Sequence, residues 1–281
     1  MGARVTDVEV RRDSAVRLHP GGADEFAAHL TGATLTEVAR RGKFLWVTLD
    51  DTPWALSAHL GMSGQFRVHS GHGDAPAPHA HCRVRMRLHG RQGALTLDFL
   101  DQRTFGYLHV EPLVDTADAA PGGAGTVLAA VPRSVAHIGR DALDPAMTPA
   151  GAVAAWRRGS RGIKQVLLDQ TRVSGVGNIY ADEALWRARI HPEQRVSALS
   201  VRRAGELFEA TRLVMEAALA QGGTSFDSLY VNVNGESGYF SRSLEAYGRG
   251  GEPCARCGSA LVRRVIGGRS SHFCPRCQRL R

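Results

Sequence analysis

Four cysteines near the C-terminus have the spacing of a metal site. Cys254 and Cys257, then Cys274 and Cys277, form C-x2-C-x16-C-x2-C. Each pair sits on a turn, with Pro253, Gly258 and Pro275 beside it. Four thiolates so placed can close a tetrahedral zinc site. Two disulfides are the alternative. They fit poorly with an N-terminus that carries no secretory signal, its apolar character being broken by Arg4, Asp7, Glu9, Arg11 and Arg12. One structural Zn2+ is therefore expected, and in so short a segment it supplies most of the folding free energy.

Charge points to a partner. Arg249, Arg256, Arg263, Arg264, Arg269, Arg276, Arg279 and Arg281 surround the cysteines, and only Glu252 opposes them. The tail thus carries most of the net charge of +8, in a chain of pI 9.8. A basic zinc module implies a nucleic-acid backbone, because the metal frame holds the arginines in place. Only two of the 35 basic residues are lysine, Lys43 and Lys164. Lysine can be desolvated and can transfer a proton; arginine in practice cannot. Both lysines are therefore candidate functional groups. A third candidate is Val173–Tyr180, where Gly175 and Gly177 lead into a helix with Asn178 placed as N-cap. Backbone N–H groups at such a turn can receive a phosphate.

These residues need elements to position them. A length of 281 residues with 43% hydrophobic composition allows one large or two to three smaller domains. No apolar run reaches membrane-span length. Cys82 is left over as an unpaired thiol, consistent with a reducing cytoplasm. Residues 3 to about 110 read mainly as strands: Thr34–Arg40 and Phe44–Leu49 about a basic turn, then Ala55–Val68, Cys82–Leu88, Ala94–Leu100 and Phe105–Val110. Asp24–Leu30 reads as a short helix. Many short strands with frequent turns suggest a β-sandwich. Thr116–Gly125 reads as linker. Helices follow at Pro149–Arg158, Ile163–Gln170, Asn178–Arg187 and Ser200–Gln221, the last with apolar residues at helical spacing.

At this point the motifs converge. Arg41-Gly42-Lys43-Phe44-Leu45, His59-Leu60-Gly61-Met62-Ser63-Gly64, Asp101-Gln102-Arg103-Thr104-Phe105-Gly106, Gly175–Ala181, Gly222–Ser225 and Gly238-Tyr239-Phe240 stand in order ahead of the zinc cysteines. Together they resemble the bacterial formamidopyrimidine-DNA glycosylases, the Fpg (MutM) branch of the Fpg/Nei repair enzymes, nearly end to end from Gly2. The resemblance implies an α+β multidomain chain. Its parts are a two-sheet β-sandwich (1–115), a linker (116–132), a helix–two-turn–helix DNA-binding domain (133–247) and a C-terminal β-hairpin zinc finger (248–281). It implies a cytoplasmic, nucleoid-associated monomer that acts on damaged double-stranded DNA, with no membrane partner. Such enzymes excise 8-oxoguanine and formamidopyrimidines and cut the strand by β- and δ-elimination.

The resemblance also implies roles. Met62, Arg103 and Phe105 fill the gap left by an extruded base, a task suited to apolar wedges and a cation. Lys43 contacts phosphate and assists elimination, and Lys164 faces the lesion pocket. Asn178 and Arg269 grip the phosphate at the lesion. His79, Arg158 and Arg161 contact DNA, and Ser225–Tyr239 covers the extruded base. One feature departs from the family pattern. The family nucleophile is an N-terminal proline followed by glutamate, whereas this sequence opens Met-Gly-Ala-Arg-Val and matches only after the first family helix. A start site set downstream of the natural one is the expected explanation. The alternative explanation is an inactive homologue that binds damaged DNA, and the alternative function is that of a Nei-type glycosylase for oxidised pyrimidines.

Overall fold

A computed structural model describes residues 2–50, 52–70, 76–223 and 240–281. These residues divide into two compact units, one up to Ala136 and the other from His137 onward.

The first unit contains β1 (Ala3–Val10), α1 (Gly22–Leu30), β2 (Thr34–Arg41), β3 (Phe44–Leu49), β4 (Trp54–His59), β5 (Gly64–Ser70), β6 (Cys82–Gly90), β7 (Gly93–Asp101), β8 (Tyr107–Asp115) and β9 (Ala130–Pro132). Hydrogen bonding runs in the order β5-β7-β6-β1-β2-β3-β4-β8-β9, antiparallel throughout. The two layers expected of a sandwich are halves of this sheet, joined along β1. That strand pairs with β6 for most of its length, but with β2 only at Ala3–Leu35 and Arg4–Thr34. Leu49, Leu56 and Val110 from one half share a core with Val84, Met86 and Phe99 from the other. α1 adds Phe26 and Leu30, both fully buried. Within the β6–β7 pair, Arg85 donates to both oxygens of buried Asp98 at 2.7 Å, a bidentate pair directly across the ladder. Burial and Asp98 push the Cys82 thiol up to about 12, so it stays protonated and inert.

Two expectations need correction here. Ala55–Val68 is not one strand; it breaks at Leu60–Ser63. Gly64 N–H closes the turn onto Leu60 O at 2.7 Å, and a Cβ on Gly64 would lie 2.4 Å from that oxygen. Residues 116–132 do not run free as a linker. They carry β9, and Ala124 exchanges backbone hydrogen bonds with Arg40. Small residues permit this close approach: a Cβ on Gly123 would meet Arg40 O at 2.2 Å.

The second unit contains α2 (Pro149–Trp156), α3 (Ile163–Leu167), α4 (Asn178–Ala188) and α5 (Val201–Ala220), then the hairpin β10 (Val262–Ile266) and β11 (Arg269–Phe273). Thr148 caps α2 ahead of Pro149, and Ser200 caps α5. α5 buries Ala204, Leu207, Phe208, Thr211, Val214, Met215 and Ala218, the face legible from its spacing. The N-cap of α4 is Gly177, not Asn178, because the side chain of Asn178 is engaged elsewhere. Gly267 and Gly268 turn the hairpin with φ of +57° and +76°, as a two-residue type I′ turn requires. Among the described residues no helix is long and apolar enough to cross a membrane.

Candidate nucleic-acid interface

In the first unit the expected wedge residues stand on two adjoining loops. Met62 is 63% exposed and Phe105 is 56% exposed, unusual for large apolar side chains. The loops are locked by Asp101, which is buried. Its carboxylate accepts from Ser63 Oγ at 2.5 Å and from Gly106 N–H at 2.7 Å, and Ser63 Oγ in turn accepts from Arg103 N–H at 2.9 Å. Arg17 donates to the Phe105 and Gly106 carbonyls. Gly61 permits the contact, since a Cβ there would lie 2.7 Å from Gly106 N. Met62, Arg103 and Phe105 are thus brought together on a rigid base with their side chains outward.

Lys43 is exposed on the β2–β3 turn. Nearby His59 packs between Phe44 and Tyr107, and burial, Lys43 and Arg17 all lower its pKa. His79 is exposed, and its Nδ1 accepts from the His81 backbone N–H.

In the second unit Lys164 is buried, only 1% exposed. Its ammonium donates to Asp182 Oδ1 at 2.6 Å, Ser270 O at 2.9 Å and Ser271 Oγ at 2.7 Å. All three of its donors are spent inside the protein. Burial pushes its pKa down, and Asp182 opposes that shift without cancelling it. Asp182 Oδ2 accepts from His272 N–H, and Asn178 Nδ2 donates to Ser270 O at 2.9 Å. Asn178 Oδ1 is buried without a partner. The next residue, Glu183, accepts the backbone N–H groups of Glu245, Ala246 and Tyr247. Two successive carboxylates of α4 therefore hold the hairpin and the strand of chain leading to it.

Arg269 is exposed beside a cleft of about 510 Å3 also lined by Arg161, Lys164, Gln165 and Asp169. Arg161 is ion-paired to Asp169, and Arg158 is exposed before it. Gly175 N–H, a candidate phosphate donor, is taken by Gln170 Oε1. Ser225–Tyr239 lies outside the described residues. Sequence reading missed Asp101, Gln170, Asp182 and Glu183. Acids embedded in apolar runs of a basic chain were the available signal.

The four cysteines converge, their sulfurs all within 4.8 Å of one another, with no disulfide among them. Cys257 and Cys274 Sγ lie 3.5 Å apart. This all-thiolate set fits one structural zinc. Arg256 stacks on Trp186 at 3.7 Å and packs the module against the end of α4.

Comparison with known proteins agrees with this geometry. Residues 1–108 match the formamidopyrimidine-DNA glycosylase N-terminal domain, and 138–229 match the formamidopyrimidine-DNA glycosylase H2TH domain. Residues 251–280 match the zinc finger found in FPG and IleRS. The chain belongs to the formamidopyrimidine-DNA glycosylase family. Relatives with that name from Leifsonia xyli and Thermobifida fusca are 50% and 52% identical, over 99% of this chain and 94% and 91% of theirs. The Thermus thermophilus MutM (Fpg) structure superposes with a TM-score of 0.78 at 34% identity, covering 100% of this chain and 93% of that one. Lactococcus lactis Fpg bound to DNA containing an abasic site gives 0.77 at 28% identity, covering 99% and 93%.

Lys164→Ala strips the buried Asp182 carboxylate of its ammonium countercharge and leaves only His272 against it. A loss of about 3–5 kcal/mol is expected in urea titration. Asp169 adds a pH dependence. Burial raises its carboxyl pKa, but hydrogen bonds from Thr171 and Arg161 outweigh this and hold it at about 2, below the ordinary 3.8. A depressed carboxyl stabilises above its unfolded pKa, and that contribution is lost as pH falls through the folded value. The stability gap between wild type and Asp169→Asn is therefore constant near neutrality and closes from about pH 4 toward about pH 2, as urea titrations across that range will show.

Proposed function

We propose that this chain removes oxidised purines, 8-oxoguanine and formamidopyrimidines, from duplex DNA and then cleaves the strand by β- and δ-elimination. The observation that carries this reading is the agreement with formamidopyrimidine-DNA glycosylases through all three parts of the chain. A Lactococcus lactis relative has been solved with Fapy-dG DNA, the ring-opened purine itself.

The chemistry requires that the damaged base leave the stack and that its place be filled. Met62 and Phe105 supply the apolar wedge and Arg103 the cation. The exposed ammonium of Lys43 serves the phosphate and the elimination steps. Asn178 and Arg269 grip the lesion phosphate, and His79, Arg158 and Arg161 add backbone contacts. Lys164, with its donors already engaged, acts as a positioning residue: it fixes Ser270 and Ser271, next to Arg269. The lyase step needs an amine that forms an imine with C1′ of the deoxyribose. In the family this is the proline that precedes glutamate, upstream of the position of Gly2. Association with the nucleoid is the location that a duplex DNA substrate favours.

Borohydride trapping on a duplex with 8-oxoguanine opposite cytosine tests the reading, with a Pro-Glu segment preceding Gly2 and without it. A covalent adduct that requires the segment is expected. Lesion binding with no adduct in either form supports the inactive homologue, and trapping only on oxidised pyrimidines supports the Nei-type alternative. Phe105→Ala is expected to weaken lesion-duplex binding roughly tenfold or more, the value of one lost base–aromatic stack, while leaving folding intact. Filter binding against undamaged duplex measures this.

A further inference from the structure

The entry to α1 gathers ligand-type side chains that the proposed reaction does not use. His19 lies in the turn before the helix, and Glu25 and His29 are one helical turn apart on it. Each can bring one ligand atom within 4.8 Å of the other two. His19 is only 6% exposed, and its Nδ1 lies 3.2 Å from the Val110 carbonyl oxygen. A carbonyl only accepts, so the neutral ring carries its proton on Nδ1 and its lone pair on Nε2. That Nε2 is buried and has no hydrogen-bond partner. A buried polar atom left so is costly. An imidazole that donates its other N–H to a backbone carbonyl is also the usual form of a metal-bound histidine.

The surroundings hold the other two groups close. The ring of His29 stacks on Trp54 at 5.6 Å and meets the edge of His19 at 5.3 Å. The Glu25 carboxylate folds back over Gly21, where a Cβ would fall 1.5 Å from Glu25 Oε2. Only glycine leaves room for that position.

We propose that His19, Glu25 and His29 form a second metal site, which takes one Zn2+ through two imidazoles and a carboxylate. A set of two nitrogens and one oxygen selects zinc over magnesium or calcium. Three protein ligands leave a fourth position for water, unlike the closed four-cysteine site. Zinc bonds of about 2.0–2.2 Å require the ligand atoms to draw in somewhat. Glu25 and His29 are exposed and can turn to do so, while His19 stays anchored to Val110. The ion would fasten the start of α1 to the sheet beneath it.

Zinc content of the full chain after equilibration with buffered zinc tests this. Wild type is expected to hold two zinc ions, of which a mercurial that blocks thiols releases one. Glu25→Gln/His29→Gln, both at exposed positions, is expected to hold one, all of it released by the mercurial. With cobalt, wild type should show the intense near-ultraviolet sulfur-to-metal bands and visible bands of the four-thiolate site together with a weaker visible contribution from the nitrogen and oxygen site, and only that weaker contribution should vanish in the variant. A wild type that saturates at one zinc overturns the proposal, as does a second zinc that persists in the variant. Neither result depends on DNA cleavage.

Discussion

The ammonium of Lys164 ties three elements of the second unit to one point. It starts on α3, meets Asp182 on α4 and reaches Ser270 and Ser271 on β11. A charge this deeply buried survives only with a countercharge and full hydrogen bonding, and here both are met. Asp182 spends its second oxygen on the His272 backbone, so the hairpin can dock in one register only. Glu183 repeats the device one residue on, against the segment that leads into the cysteines. The positions of Asn178 and Arg269 follow from these bonds, since Asn178 shares Ser270 O with Lys164 and Arg269 precedes it.

Zinc and the buried pair divide one task. The module has few apolar residues, and its small core of Trp186, Ala246, Leu261, Cys254 and Cys274 draws a tryptophan from α4. The metal gives the module shape, whereas the carboxylates of α4 give it place. Arginines on such a frame lose little freedom when they meet a phosphate, which favours binding.

The first unit solves a different problem. Met62 and Phe105 must remain outside despite a core that would bury them. Asp101 does this by taking Ser63 and Gly106 as partners, and Gly61 lets the two loops touch. The loops are then fixed from beneath, and their apolar tips have nowhere inward to turn. The same close approach through small residues lets 116–132 lie along the sheet instead of running as a linker.

Much of this was legible in the sequence. The cysteine spacing, the rarity of lysine, the helical face of α5 and the ordered motifs are local or additive properties. They survive without knowledge of the fold, and they sufficed for the metal, the charge of the partner and the family. What each charged side chain touches was not legible. Lys164 read as a group facing the lesion; that all three of its donors are engaged within the protein was not legible. Asn178 looked like a cap and instead holds the hairpin. Asp101, Asp182 and Glu183 stood out only as acids in apolar runs, with nothing local to name their partners, and the His19 cluster was not singled out. The partners that fix them, Ser63 for Asp101, Lys164 and His272 for Asp182 and Ala246 for Glu183, lie far off in the chain, so the desolvation and hydrogen bonding that define them exist only once the chain has folded. Composition and periodicity decided which elements form and what they bind; the tertiary structure decided which charges are spent holding the elements and which remain to act.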